Sequence, residues 1–263
     1  MVEHLIRFFK KKEGEALNQG VGGSIPPGLA FDYSEEIRGY FSFKKLQKST
    51  FVMVEKITAL ECELIGAIIG DGHIHKKESK YYVGITGNIK TDREYFNTLS
   101  VLSKKVWNKT PQIRNRAGGI RLRFYSKAIV TRLIKKFGLP FNSGKCYRVK
   151  IPKMIASNWK YAKHAIRGIV DTDGSVFTAN KPGSPNYPSI EITTASRLLA
   201  EQLKDILTKQ EFRVAKIWNY TSKLSVLPAY KVPLNGRKNL EDWISKIGFS
   251  NPHKLRIALN ALL

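Results

Sequence analysis

An apolar helix that ends in a carboxylate occurs twice in this chain, and the repeat restricts most of what the chain can fold into. The stretch LIGAIIGDG (64–72) runs into Gly70-Asp71-Gly72, and IRGIVDTDG (166–174) runs into Asp171-Thr172-Asp173-Gly174. Gly66 and Gly70 lie four apart and share one helix face; Gly168 and Thr172 hold the same places in the second stretch. Small residues at that spacing let two backbones approach closely, because no side chain props them apart. If the two helices pack on each other, their C-terminal ends lie side by side and Asp71 and Asp173 become neighbours. Such carboxylates repel each other and the negative ends of the helix dipoles. A divalent cation relieves the repulsion, and hard oxygen ligands suit Mg²⁺, with Mn²⁺ as a substitute. The expected ligands are Asp71 and Asp173 with the backbone carbonyls of Gly70 and Thr172. A metal-activated water there attacks phosphorus.

Simpler readings cover less. A helix stop, with Gly72 and Gly174 as C-cap residues, explains either motif alone but not both in matching frames. DTDGS (171–175) begins like a calcium loop, but its Gly falls at loop position 4 and Pro182 stands at position 12, where a Glu belongs. GLPFNSGKC (138–146) misses the phosphate-loop spacing and has Cys in place of Ser or Thr.

The frame around the motifs also repeats. Thr58 is placed to cap the first helix, with Glu61 as its capping-box partner. Strands follow near 73–77 and 81–87, then an amphipathic helix over 91–107 carrying Tyr95, Phe96, Leu99, Leu102 and Val106 on one side. A hairpin over 111–126, turning at Ala117-Gly118-Gly119, leads to a helix over 127–138. The second half follows with helix 158–171, strands 174–178 and 188–194, helix 195–210, strands 212–220 and 227–234, and closing helices 237–248 and 252–263. The expected class is α+β: two pseudo-symmetric αββαββα halves, 56–154 and 155–263, packed through the motif helices, each with an antiparallel sheet. Residues 1–55, with the Gly/Pro-rich NQGVGGSIPPGLAF, stand apart as an extension of unassigned role.

Charge narrows the partner. Lys and Arg number 45 against 21 Asp and Glu, a net charge of +24, and each phosphate neutralised by such a surface releases counterions. The charge is spread along the chain instead of gathered on one amphipathic helix, and no apolar run reaches the roughly 18–20 residues of a membrane span. A cytoplasmic protein with Cys62 and Cys146 as reduced thiols is expected.

Arginines mark where nucleic acid would lie. Arg114 and Arg116 alternate on one face of a strand, Arg121 and Arg123 on one face of its partner, with Ile113, Ile120, Leu122 and Phe124 on the other. Four arginines on one hairpin face call for an anionic cover, and a two-stranded ribbon fits the major groove, where Arg pairs bidentately with guanine. His73, His75 and Lys77 alternate likewise. In the second half Arg213, Lys216, Trp218, Tyr220, Lys223, Tyr230 and Lys231 supply basic and aromatic contacts, less regularly spaced.

Taken together, LIGAIIGDG and IRGIVDTDG resemble the two motifs of a monomeric, double-motif LAGLIDADG homing endonuclease of the archaeal type. The resemblance covers about 58–263 and includes the closing IGFSNPHK (247–254). Ile69 and Arg167 depart from the family pattern, at positions other than the metal-binding acids. The resemblance implies two sheets forming a DNA-binding saddle, Asp71 and Asp173 as metal ligands that position the water, and a double-strand break across the minor groove leaving 3′ overhangs. It also implies a long asymmetric target and intron mobility. It places one basic residue of each half beside the attacking water: Lys150 and Lys254, with Lys145 and Lys153 as rivals to the first. Asn88 and Thr194, at the ends of second strands, are expected near water or phosphate. Some members assist RNA splicing as maturases, so intron RNA is a further expected partner; a non-cleaving DNA-binding regulator is the other alternative. The chain begins with Met and ends in NALL, without the His-Asn of protein splicing, so a free-standing protein is expected rather than an intein.

Overall fold

The computed structural model describes residues 56–116, 119–221 and 228–263. The 1–55 segment, the turn residues Ala117 and Gly118, and Lys223 lie outside the described residues, as does the side chain of Arg116. The first motif is helix α1 (Ala59–Ile69), followed by strands β1 (Gly72–Lys77) and β2 (Lys80–Asn88), helix α2 (Arg93–Trp107), strands β3 (Gln112–Arg116) and β4 (Gly119–Tyr125), and helix α3 (Lys127–Lys135). Two short helices, α4 (Lys145–Arg148) and α5 (Lys153–Ala156), lead into the second motif helix, α6 (Trp159–Asp173). Then come β5 (Gly174–Lys181), β6 (Ser184–Thr194), α7 (Arg197–Lys209), β7 (Trp218–Tyr220), β8 (Ala229–Asn235), α8 (Arg237–Lys246) and α9 (Pro252–Asn260). The αββαββα repeat is present. The four-residue helices α4 and α5 were invisible to periodicity, which needs more than one turn to register.

Each half builds a four-stranded antiparallel sheet, in the orders β1-β2-β4-β3 and β5-β6-β8-β7. In the first, register places Ile74, Val83 and Phe124 side by side, and Ile85 beside Leu122. That face is buried with Phe96 and Leu99 of α2 and Ile129, Val130 and Leu133 of α3. In the second, Ile190 and Ile192 of β6 pair with Leu234 and Val232 of β8 and are buried along with Leu203 of α7 and Trp243 of α8. The expected strand 212–220 shrinks to β7, joined upstream by a lone bridge between Val214 and Leu234. Pro233, opposite that stretch, has no N–H to offer a ladder.

Thr58 caps α1 as expected, accepting from the Glu61 amide at 3.1 Å. The reciprocal half of the capping box is absent. Glu61 is buried and takes both Arg132 nitrogens at 2.7 Å and the Trp107 indole at 3.2 Å. A guanidinium fork offers two charge-assisted bonds where the cap amide offers one neutral bond.

Helices α1 and α6 cross at the small residues. A Cβ on Gly66 would collide with the Ala165 carbonyl, one on Gly168 with the Glu63 carbonyl, and one on Gly70 with the Thr172 hydroxyl. Arg167, out of pattern in the second motif, has a partner across this interface. Its guanidinium donates to Glu63 Oε2 at 2.5 and 3.1 Å and to the Ile247 carbonyl at 3.1 Å, all buried. Arg167→Met should cost about 3–5 kcal/mol, because the Glu63 carboxylate stays buried without its counter-charge. The urea midpoint of that variant, compared with Glu63→Met/Arg167→Met, is the check: the double variant should recover most of the loss.

Candidate active site and nucleic-acid face

The crossing carries both motif ends to one place. Asp71, just past α1, is exposed, and Asp173, the last residue of α6, is half-buried. Their carboxyl groups meet in a side-chain hydrogen bond. Loss of hydration raises Asp71, and loss of hydration with the adjacent Asp71 charge raises Asp173 well above the carboxylate range. Two carboxylates in contact cannot both stay ionised cheaply.

Two lysines flank the pair in matching positions. Lys145 Nζ donates to the carbonyls of Ile68, Gly70 and Gly72 at 2.7, 2.9 and 2.6 Å, closing the end of α1. Lys254 Nζ donates to Val170 and Thr172 at 2.6 and 3.1 Å, closing the end of α6. Each ammonium gathers carbonyls at the C-terminal end of a motif helix and offsets the dipole there. Burial pushes Lys145 down to about 8, against the opposing pull of Asp173 and Asp71, and lowers Lys254 as well.

Of Lys150 and its rivals Lys145 and Lys153, it is Lys145 that reaches the end of α1. Lys150 is exposed and lies between buried Val149 and Ile151. In an extended segment that alternation turns Lys150 outward. Lys153 is also exposed. Gly144, at φ +73°, turns the chain so that α4 opens with Lys145 against the end of α1. The carbonyls of Gly70 and Thr172, expected as metal ligands, are instead held by the two ammonium groups. An ammonium 3 Å away repels a divalent cation. Thr194 does not face water either: it is buried, and its hydroxyl accepts from the Ser196 amide at 3.1 Å. Asn88 is exposed and its Oδ1 accepts from the Lys90 amide at 2.8 Å.

The remaining donor set is two adjacent carboxylates; among the described residues no group of three His, Cys, Asp or Glu could hold a metal. Two acids held side by side mark a place where positive charge is favoured. Two carboxylates, with water and phosphate completing the shell, fit Mg²⁺ or Mn²⁺ better than a metal that needs an all-protein cage.

Behind the pair, residues not singled out from sequence lock Lys254 in place. Asn251 caps α9, accepting from the amides of His253 and Lys254 at 3.1 and 3.4 Å. Its side-chain amide donates to Asp92 Oδ1 at 3.2 Å and to the Asp171 carbonyl at 3.1 Å, tying both halves together. Asp171 accepts from the Ser250 amide at 2.8 Å, and burial pushes it up to about 7. The available signal was the stretch IGFSNPHK, which holds Ser250, Asn251 and Lys254 together.

The outward face of the first sheet is basic. Register sets Arg114 opposite Arg121, Gln112 opposite Arg123, and Arg116 opposite Gly119. Across β2 this face continues through Thr86, Gly84 and Tyr82 to His73 and His75, and Lys77 pairs with Lys80. Tyr82 organises one end of it. His75 stacks on its ring at 4.7 Å, and the Arg123 guanidinium lies 4.8 Å from its centre. His73 lies over Gly84, where a Cβ would strike the imidazole ring. Burial, then Arg123, lowers the His73 pKa, so this ring is neutral at physiological pH.

In the second sheet Trp218, Tyr220 and Lys231 share the outward face. Tyr230 pairs with Thr194 and Asn219 and falls on the opposite face. Arg213 and Lys216 are exposed in the chain leading into β7. Among the described helices, none is long and apolar enough to cross a membrane. Cys62 is buried and Cys146 exposed, both free thiols.

Two crossed motif helices, paired acids at their ends and two flanking sheets define a double-motif protein of the LAGLIDADG fold. Residues 161–248 match the model of a LAGLIDADG-like domain. The homing endonuclease I-DmoI in complex with DNA and Ca superposes with a TM-score of 0.55 at 18% identity, over 76% of this chain and 95% of that one. Two curated relatives also match: a tRNA-splicing ligase RtcB of Pyrococcus furiosus, 27% identical over 206 residues, and a replication factor C small subunit of Methanocaldococcus jannaschii, 28% identical over 200 residues. The matches cover 71% and 76% of this chain but only 20% and 10% of those relatives, so the likeness is to a segment of each.

Proposed function

We propose that this chain is a site-specific DNA endonuclease that makes a divalent-metal-dependent double-strand break in a long asymmetric target. The observation that carries the proposal is the meeting of Asp71 and Asp173 between the Lys145 and Lys254 ammonium groups. The solved I-DmoI complexes with DNA and Ca or Mn support it by likeness of fold. Asp71 and Asp173 would hold Mg²⁺ or Mn²⁺, which supplies a Lewis acid and a water of lowered pKa when bound. Lys145 and Lys254 fix positive charge beside the phosphate that is cut and favour the extra negative charge of the pentacovalent state. All three Lys145 hydrogens are spent on carbonyls, so it acts through its charge and not as a base. The basic face of the first sheet holds the backbone and base edges of one half of the target. Intron mobility, 3′ overhangs and action as a monomer belong to the same proposal.

The test is incubation of the full chain with a randomised duplex library and Mg²⁺, followed by sequencing of new ends. Discrete ends at one asymmetric sequence are expected. Binding without cutting would overturn the nuclease assignment and make intron RNA the next ligand to try. Lys145→Met and Lys254→Met should each slow cleavage of the selected site about 10²–10³-fold. Lys150→Met should cut like the unchanged protein, and single-turnover rates distinguish these.

A further inference from the structure

The two sheets present unlike surfaces to the same ligand. On the first, the described outward strand positions hold Lys77, Lys80, Arg114, Arg121 and Arg123, with no acid among them. On the second, the described outward positions hold two cations, Lys181 and Lys231, and one anion, Glu191. Lys231 and Glu191 are already paired: Lys231 Nζ donates to Glu191 Oε1 at 2.5 Å. The same ammonium lies 4.8 Å from the centre of the Trp218 ring and 5.2 Å from that of Tyr220. Its charge is spent within the protein, and its side chain is only 22% exposed. What the second face offers outward is aromatic: Phe177 is 39% exposed, Trp218 46% and Tyr220 40%. Lys181 sits at the hairpin end, its ammonium 3.8 Å from the centre of the Tyr187 ring, and Lys216 is exposed ahead of β7, so the cations of this half stand at the margins of the face.

We infer that the two halves read duplex DNA by different physics, with Phe177, Trp218 and Tyr220 selecting thymine methyl groups in the half-site under the second sheet. The inference rests on the duplex-DNA reading above. The major groove presents one apolar group, the thymine C5-methyl, and aromatic side chains meet it by contact instead of by hydrogen bonds. Three exposed aromatics on one face, with the unpaired cations among the described residues only at its margins, match that group and match phosphate poorly. The Glu191–Lys231 pair braces Trp218 and Tyr220 and keeps a free ammonium out of the face. Affinity that depends on salt then comes from the first sheet, and affinity that depends on methyl groups from the second.

The experiment selects bound sequences from two randomised duplex libraries in Ca²⁺ buffer, one made with thymidine and one with deoxyuridine throughout. The selected half-site facing the second sheet should carry thymines in the first library and lose its preference in the second. Replacing those thymidines with deoxyuridine in one selected duplex should weaken binding at least about fivefold, the lower end of the effect of one mismatched pair. The same replacement in the other half-site should have little effect. Trp218→Ala/Tyr220→Ala should abolish the methyl dependence without changing the salt slope; both residues are exposed, so the fold is not at risk. Arg121→Ala/Arg123→Ala should keep the methyl dependence and flatten the slope of log affinity against log salt by about two. Glu191→Gln should steepen that slope by about one. Equal methyl dependence in both half-sites, none in either, or tighter binding when the second half-site is single-stranded, as for stacking on unpaired bases, would overturn the inference. Failure to bind any duplex would remove the DNA reading itself.

Discussion

Asp71→Asn and Asp173→Asn should each lower cleavage of a selected site by about 10³-fold or more while DNA remains bound, because each removes one of two metal-holding carboxylates. The effect on stability should have the opposite sign. Both acids have raised pKa values in the fold, for loss of hydration and, at Asp173, for the neighbouring Asp71 charge. As pH rises past the ordinary carboxylate value of 3.8, the unfolded chain ionises first. The pair then subtracts stability until pH passes the folded values, and the loss levels off above them. In metal-free buffer at neutral pH, Asp173→Asn should therefore melt a few degrees higher than the unchanged protein. Mg²⁺ or Mn²⁺ should raise the melting temperature of the unchanged protein and leave both variants where they were. Thermal melts with and without the ion read this apart from any cleavage. A variant that melts lower than its parent and still gains from Mg²⁺ would place the metal elsewhere.

Gly168→Ala should be, with Gly66→Ala, among the most damaging single-methyl changes at the described residues. A Cβ on Gly168 would collide with the Glu63 carbonyl and stand 2.7 Å from the Ala67 amide nitrogen. Both obstacles are backbone of α1, a helix buried along nearly its whole length, so no side chain can turn aside to make room. The helices must separate, and with them the contact between Asp71 and Asp173. A cost of about 3 kcal/mol or more is expected, at the upper end for overpacking. Gly183→Ala, by contrast, meets no heavy atom within 4 Å and carries only the strain of φ +74°, so it should cost about 1 kcal/mol. Urea unfolding of both variants checks the ordering.

Sequence alone was enough for the αββαββα repeat, the crossing of the motif helices and the alternation of the first hairpin. Each rests on a local period of helix or strand that burial enforces along the whole element. Gly66, Gly70 and Gly168 were legible because a small residue at helical spacing has one steric use. Where a side chain's partner lies far along the chain, local pattern failed. Glu61 looked like the second half of a capping box until Arg132, 71 residues on, claimed its carboxylate. Arg167 looked like a lapse in the motif until Glu63 appeared across the interface. Lys150 stood where counting placed a basic residue, but a left-handed Gly144 and two buried neighbours gave that place to Lys145. The pairing of Lys231 with Glu191 carried no sequence signal, the two being 40 residues apart on neighbouring strands. The sequence by itself determined the repeat, the paired acids and the cationic hairpin, because helix and strand periods are local. Only the tertiary structure decided which lysines face the acids and which cations are left free for a ligand, because charge pairs form wherever folding brings opposite signs into a shared dry space.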